Sequence, residues 1–326
     1  MYKKINRVTM VGALPPLKGN AYYCMGLALN MAKKIHVDFL AFRKLYPEFL
    51  YPGGVVDRDP KFAISENQNL KIHRVLHYAN PFSWVRSALF AKSALVHLQW
   101  WSVPLAVVYL VMLSILRFRH KTIIMTVHNV VPHEAAWINR FVTRSILYFA
   151  DGVIVHSRDN RVGLREHFNF PNERIFEVPM PVHNMYGDED MSVDWARQSI
   201  GIPRTALVIL SFGNLRDYKG VDTLIRAFEK VRKSLPQAHL LIVGQPWSGW
   251  HVCDELIDEL EIRHDVTTVL KYVEMSSVAK YFVSSDIVVL PYRRFDAQSG
   301  VGNIALFYEL PLVVTRVGGL PELVRD

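Results

Sequence analysis

The sequence predicts an α/β protein made of two successive doubly wound, Rossmann-like domains. Three observations carry this reading. Strand-like runs alternate with helical stretches along nearly all of the 326 residues. Those runs are apolar throughout rather than at every second residue, as strands covered on both faces of a parallel sheet must be. The alternation lapses once, from about 179 to 203, and then restarts. Half of the residues are apolar and 21 % are charged, enough to bury two cores and too apolar for a disordered chain.

The elements follow in order. "RVTMVGAL" (7–14) reads as a first strand. Lys3, Lys4 and Arg7 flank it as they would a signal peptide, but its seven-residue apolar run meets Pro15-Pro16 at once. "NAYYCMGLALNMAKK" (20–34) has helical spacing and a basic last turn that suits the helix dipole. "HVDFLAF" (36–42) follows, then the aromatic loop "RKLYPEFLYPGG" and the strand "ALVHLQW" (94–100). "VPLAVVYLVMLSIL" (103–116), followed by Arg117, Arg119, His120 and Lys121, is the most apolar stretch. It is too short to cross a hydrocarbon layer of about 30 Å. It reads as a buried helix; the alternative is a membrane-facing helix whose basic end meets anionic lipid. "TIIMTVHN" (122–129), a helical segment with Trp137 and Phe141, and "GVIVHS" (152–157) complete an N-terminal domain of residues 1–180.

The aperiodic, acidic "VPMPVHNMYGDEDMSVDW" places a linker at 181–203. Beyond it come "ALVILSFG", a helix at 221–235, "HLLIVG", a helix near 253–262, "VTTVLKYV", a short helix near 276–284, "DIVVLPY" and "PLVVTRVGG". These make a C-terminal domain of residues 204–326.

The net charge of +8 favours anionic partners such as phosphates, nucleic acid or an acidic membrane surface. Nucleic acid is set aside, because the cations are scattered and no recognition module is present. Cys24 and Cys253 stand far apart without metal spacing, which fits a reducing compartment and no disulfide framework.

Ligands of open α/β sheets sit outside the carboxyl ends of the strands, at the turns into the helices. Three such places stand out. In "SFGNLRDYKGVDTLIRAF" (211–228) a strand ends at Gly213, a loop carries Arg216 and Lys219, and Gly220 opens an amphipathic helix. Two cations beside a helix N-terminus make a diphosphate site; the alternative is two solvated cations. Gln298-Ser299-Gly300-Val301 forms a second strand-to-helix turn of the same domain, or an ordinary turn whose small residues solve a geometric problem. In the N-terminal domain, "ALPPLKGNAYY" brings Gly19 to a helix start, and "TVHNVVPHE" carries His128, Asn129, His133 and Glu134. No G-x-G-x-x-G fingerprint is present, and no second histidine follows His133-Glu134 at metalloprotease spacing.

"FGNLRDYKGVDTLIRAF", "SSDIVVLPYRRFDAQSGV" and "LPLVVTRVGGLPELV" resemble the donor-binding half of retaining glycosyltransferases of family 4, which have the GT-B fold. "LPPLKGNAYY", "TVHNVVPHE" and "ADGVIVHS" resemble the acceptor half. The resemblance implies two Rossmann-like domains facing a cleft and a UDP- or GDP-linked sugar donor. Its diphosphate would meet Arg216, Lys219 and the amides of Ser299, Gly300 and Val301. Gly213, Asp296 and Gln298 complete that side, and backbone near Tyr272 and Val273 would hold the base. Gly19 would let the first loop approach the donor closely, and His128 would sit near the transferred sugar. The implied catalytic set is therefore His128, Arg216 and Lys219, with Asn129, His133 and Glu134 on the acceptor side.

The resemblance implies neither metal nor cofactor, since the nucleotide sugar is a substrate. The implied acceptor is a lipid-linked glycan or polysaccharide, and the implied location cytoplasmic, peripheral on an anionic inner membrane face. Many family members carry two glutamates eight positions apart here. In this chain Asp296 and Ile304 take those places, as in the branch with a QSGV turn. Family members also continue past "VGGLPELVRD", so a C-terminally truncated second domain is expected. The rival is a non-catalytic sugar-nucleotide-binding or scaffold protein.

Overall fold

The computed structural model describes residues 5–47, 56, 64–130, 137–181, 191–247, 249–295 and 298–324. Its contacts divide the chain into two compact units, Met1–Pro179 and Met180–Asp326.

The first unit runs β1 (Arg7–Gly12), α1 (Ala21–Ala32), β2 (His36–Lys44), β3 (Leu70–His77), α2 (Pro81–Phe90), β4 (Leu95–Trp100), α3 (Ala106–Phe118), β5 (Thr122–Val127), α4 (Trp137–Leu147), β6 (Gly152–Val155), α5 (Arg158–Phe168) and β7 (Ile175–Glu177). Its sheet has the order β3-β2-β1-β4-β5-β6-β7, with every pair parallel. The central strands are buried because helices cover both faces, which accounts for their continuous apolar sequence. The chain reverses its direction of travel across the sheet at β1 and β4. That switch point opens a crevice at the strand ends.

The stretch 103–116 is core. A short 3-10 turn, Val103–Leu105, leads into α3, which buries Ala106, Val108, Tyr109, Met112, Leu113 and Leu116. No helix among the described residues is long and apolar enough to cross a membrane. β3 and α2 had no counterpart in the sequence reading. β3 carries Lys71, His73 and Arg74 at the edge of the sheet, where no second layer demands apolar residues. α2 is started by Asn80, whose side chain accepts from Phe82 N, with Pro81 in the first turn.

The second unit comprises α6 (Val193–Ser199), β8 (Leu207–Phe212), α7 (Val221–Ser234), β9 (Ala238–Val243), α8 (Trp250–Glu259), β10 (Val266–Val269), α9 (Val278–Val283), β11 (Ile287–Leu290), α10 (Gly300–Phe307) and β12 (Leu312–Val314). Its parallel sheet has the order β10-β9-β8-β11-β12. The switch point here lies between β8 and β11, so the two phosphate-turn candidates follow adjacent strands.

α6 falls within the stretch that reads as linker. Ser192 caps it by accepting from Trp195 N. The buried Arg197 side chain donates to Asp286 Oδ2 (2.8 Å), Arg204 O (2.6 Å) and Ser284 O (3.1 Å). Asp286 Oδ2 also accepts from Val208 N at 2.7 Å, tying this helix to the sheet of the second unit. A helix of seven residues fixed by one arginine leaves almost no periodic signal.

Candidate functional site

In the second unit, three loops close on one another at the carboxyl edge of the sheet. The loop after β8 runs beside that after β9, with Gly213 N donating to Val243 O, Leu215 N to Gln245 O and Trp247 N to Leu215 O. Two glycines make this possible. At Gly220, with φ +65°, a Cβ would stand 2.1 Å from Pro291 O; at Gly244, with φ +152°, it would stand 1.9 Å from Gly213 O. Side chains there would drive the loops apart.

The polar groups of those loops converge. Lys219 Nζ donates to Tyr292 Oη at 2.5 Å, and it lies 4.3 Å from the Tyr292 ring centroid. The Tyr292 hydroxyl is 3.3 Å from Ser299 Oγ. Ser299 caps α10: its Oγ accepts from Gly302 N, and its carbonyl accepts from Asn303 Nδ2. A Cβ built on Gly213 would lie 3.5 Å from Lys219 Nζ and 3.3 Å from a Val301 methyl, which places Gly213, Lys219 and Val301 together. A Cβ on Gly300 would meet nothing within 4 Å, so the first turn of α10 faces open space. The Arg216 guanidinium stacks 3.5 Å over the Trp247 ring, a cation–π contact that holds the charge beside the loop.

Burial pushes the Lys219 ammonium down to about 8; the neighbouring Tyr218 raises it and Arg216 lowers it. This is a poised cation, charged at neutral pH yet stripped of much of its water. With Arg216 and the positive end of α10, it concentrates positive charge that could hold a doubly or triply charged anion.

The remaining second-unit candidates have other settings. Gln298 is buried, and its Oε1 accepts from Met180 N at 2.7 Å, so this side chain anchors the entering chain. Tyr272 and Val273 lie in the segment after β10, partly buried. Asp296 lies outside the described residues.

In the first unit, Gly19 is exposed, has φ +78° and precedes α1. His128 follows β5 and is buried in a polar network. Its Nε2 lies 2.9 Å from Gln99 Oε1; an amide oxygen only accepts, so this nitrogen carries the proton. The Gln99 amide in turn donates to His97 Nε2 at 3.4 Å, which also accepts from the Thr126 hydroxyl at 2.8 Å. His156 Nδ1 donates to Val178 O at 2.8 Å. The Tyr23 ring stands edge-on to both His128 (4.9 Å) and His156 (5.1 Å), whose own centroids are 5.4 Å apart.

Burial pushes His97 down to about 4, and His128 and His156 below their usual range; the mutual proximity of the rings lowers His97 and His128 further. These are three neutral imidazoles. Asn129 Nδ2 donates to Trp101 O at 3.0 Å, and His133 and Glu134 lie outside the described residues.

The structure brings Arg216, Lys219 and Ser299 together, and sequence reasoning singled them out because cations and small residues after strands carry a signal. It missed Trp247 and Tyr292, which meet Arg216, Lys219 and Ser299 from the loops after β9 and β11, and Gln99 and His156, which meet His128 from β4 and from the end of β6. His156, Trp247 and Tyr292 follow β6, β9 and β11 and so had a signal in their position; Gln99, inside β4, had none.

Residues 206–326 match the family model of glycosyl transferases group 1. An uncharacterized glycosyltransferase of Methanocaldococcus jannaschii is 30 % identical over 48 % of this chain and 40 % of its own length. A GDP-mannose:glycolipid 4-beta-D-mannosyltransferase of Xanthomonas campestris is 25 % identical over 71 % of this chain and 64 % of its own. This chain thus spans less than two thirds of either relative. In fold, it is similar to Anabaena HepE, solved in complex with UDP, with a TM-score of 0.71, 15 % identity and coverage of 98 % of this chain and 83 % of that one. Its two Rossmann-like units thus have the fold of GT-B glycosyltransferases such as HepE, and the sequence of its second unit is similar to that of group 1 glycosyl transferases.

Proposed function

We propose that the protein is a retaining glycosyltransferase that moves a hexose from a UDP- or GDP-linked sugar to a lipid-linked or polysaccharide acceptor at an anionic membrane surface. The observation that carries this reading is the convergence of Arg216, Lys219 and the first turn of α10 at the switch point of the second unit. The printed names of the relatives support it: one acts from GDP-mannose on a glycolipid, and HepE binds UDP and UDP-glucose.

In this mechanism the protein's main task is to stabilise the leaving diphosphate. Negative charge builds on the β-phosphate as the glycosidic bond lengthens, and Lys219, Arg216 and the α10 amides neutralise it. Among the described residues no carboxylate stands at the donor turn to serve as nucleophile, and the acceptor hydroxyl attacks from the face the diphosphate leaves. The departing phosphate oxygen takes the proton of that hydroxyl, and the anomeric configuration is retained. His128, held neutral with Nε2 bonded to Gln99, acts as a hydrogen-bonding partner for a sugar hydroxyl rather than as a cation or acid. The Tyr272–Val273 backbone contacts the base.

The test is a transfer assay with UDP-glucose and GDP-mannose and a membrane extract as acceptor source, with the product's anomeric configuration read by NMR. Transfer with retention supports the reading. Donor binding without hydrolysis or transfer would favour the non-catalytic alternative, and an inverted product would refute the front-side route.

A further inference from the structure

Residues 81–150 contain seven lysines and arginines and a single acid, Glu134, in a chain that otherwise mixes its charges. The same segment builds α2, α3 and α4, which pack against one another in that order. The outer side of this layer is unusually apolar. On α4 and the turn that follows it, Trp137 is 77 % exposed, Phe141 66 % and Tyr148 84 %. At 3.6 residues per turn, these three rings point within about 40° of one another. Arg140 and Arg144, both exposed, flank that stripe on one side. Phe82 on α2 (85 %) and Phe118 at the end of α3 (86 %) add exposed rings, accompanied by the exposed Arg86 and Lys92.

Aromatic rings with arginines at their flank are the composition of a helix lying in a lipid interface, rings among the acyl chains and guanidinium groups at the phosphates. Arg117 is paired with Asp151, but a two-fold self-contact would still set the exposed Arg86, Lys92, Arg140 and Arg144 against their own copies. A bilayer rich in anionic headgroups offers both apolar depth and the opposite charge.

We propose that the outer face of α2, α3 and α4 docks the protein on an anionic lipid bilayer, with Trp137, Phe141 and Tyr148 entering the interface and Arg140 and Arg144 contacting lipid phosphates. The membrane-facing element is therefore α4 and its neighbours' outer edge, whereas the more hydrophobic α3 serves the core. This deepens the proposed membrane partnership and names its surface.

The experiment is co-sedimentation with vesicles of phosphatidylcholine alone and of phosphatidylcholine containing phosphatidylglycerol. Wild-type protein should bind the anionic vesicles and, more weakly, the neutral ones. Arg140→Glu/Arg144→Glu should weaken anionic binding roughly twentyfold or more, since each cation near such a surface contributes roughly fivefold. Trp137→Ser/Phe141→Ser/Tyr148→Ser should lose binding to both. All substituted side chains are exposed, so the fold is kept; circular dichroism and nucleoside-diphosphate affinity check it. Equal vesicle binding by wild type and both variants overturns the proposal, as does concentration-dependent dimerisation that only the triple variant abolishes. Either outcome with diphosphate binding intact leaves the transferase reading standing, and loss of diphosphate binding with vesicle binding intact does the reverse.

Discussion

Lys219 should give nucleoside-diphosphate binding a pH dependence that no other residue of the site reproduces. Its ammonium sits against Tyr292, where burial pushes it down to about 8 from an ordinary value of 10.5. Only the protonated form attracts a diphosphate. At pH 7 about nine tenths of the free protein carries that charge, and at pH 9 about one tenth. Affinity for UDP or GDP should therefore be flat up to about pH 7.5 and fall about tenfold per pH unit above 8. The bound anion stabilises the ammonium, so binding above pH 8 should take up close to one proton. Lys219→Met keeps the stem and removes the charge. One charge-assisted hydrogen bond to phosphate contributes about 1.5–3 kcal/mol, so affinity at pH 7 should drop roughly tenfold to a hundredfold. The pH slope should vanish with it. Arg216→Ala should also weaken binding but keep the slope, because a guanidinium does not titrate in this range. Calorimetry in buffers of different ionisation enthalpy reads both the affinity and the proton count. Identical pH profiles for wild type and Lys219→Met would refute the assignment.

Other expectations follow from the same physics. Gly220→Ala would bring a Cβ to 2.1 Å from Pro291 O and should abolish diphosphate binding and lower stability. Gly19→Ala, with open space around its Cβ, should cost only the left-handed backbone penalty of about 1–2 kcal/mol; equal losses in urea melts would contradict the packing argument. Leu113→Asp places a charge in the core of the first unit and should prevent its folding; a soluble protein with wild-type near-UV circular dichroism would show that α3 is not core. His97 is neutral in the fold with its titration pushed down to about 4, whereas unfolded it titrates near 6.5. The unfolded state therefore binds more protons in that window, and stability should fall as pH drops from 6.5 toward 4, with about 3 kcal/mol of the loss from His97 and the rest from His128 and His156. His97→Gln should make that decline shallower in denaturant titrations, leaving the part that His128 and His156 contribute.

Much of this was readable in the sequence, for definite reasons. Buried parallel strands write continuous apolar runs, which is why β1, β4, β5, β8, β9 and β11 are legible. The αL glycine after the Arg216–Lys219 loop and the Ser299 cap are local devices with local signatures. What stayed hidden depends on tertiary neighbours. β3 sits at a sheet edge and keeps its charges. α6 is fixed by the reach of Arg197 across 89 residues to Asp286. Trp247 becomes the platform for Arg216 only because the loops after β8 and β9 run side by side, and Gln99 meets His128 only because β4 pairs with β5. The exposed stripe on α4 hid for a different reason. A helix whose outer face is aromatic looks in sequence like one whose inner face is, and α3 held the stronger hydrophobic signal.

The central claim is that Arg216 and Lys219 with the first turn of α10 form a nucleoside-diphosphate site. The most direct measurement is a calorimetric titration of UDP and of GDP into wild-type protein and into Arg216→Ala/Lys219→Ala at neutral pH. Saturable binding of at least one nucleotide by the wild type is expected. Binding by the double variant should be weaker by a hundredfold or more, since two charge-assisted contacts of about 1.5–3 kcal/mol each are removed. Equal affinity in both proteins, with the variant folded, would contradict the account.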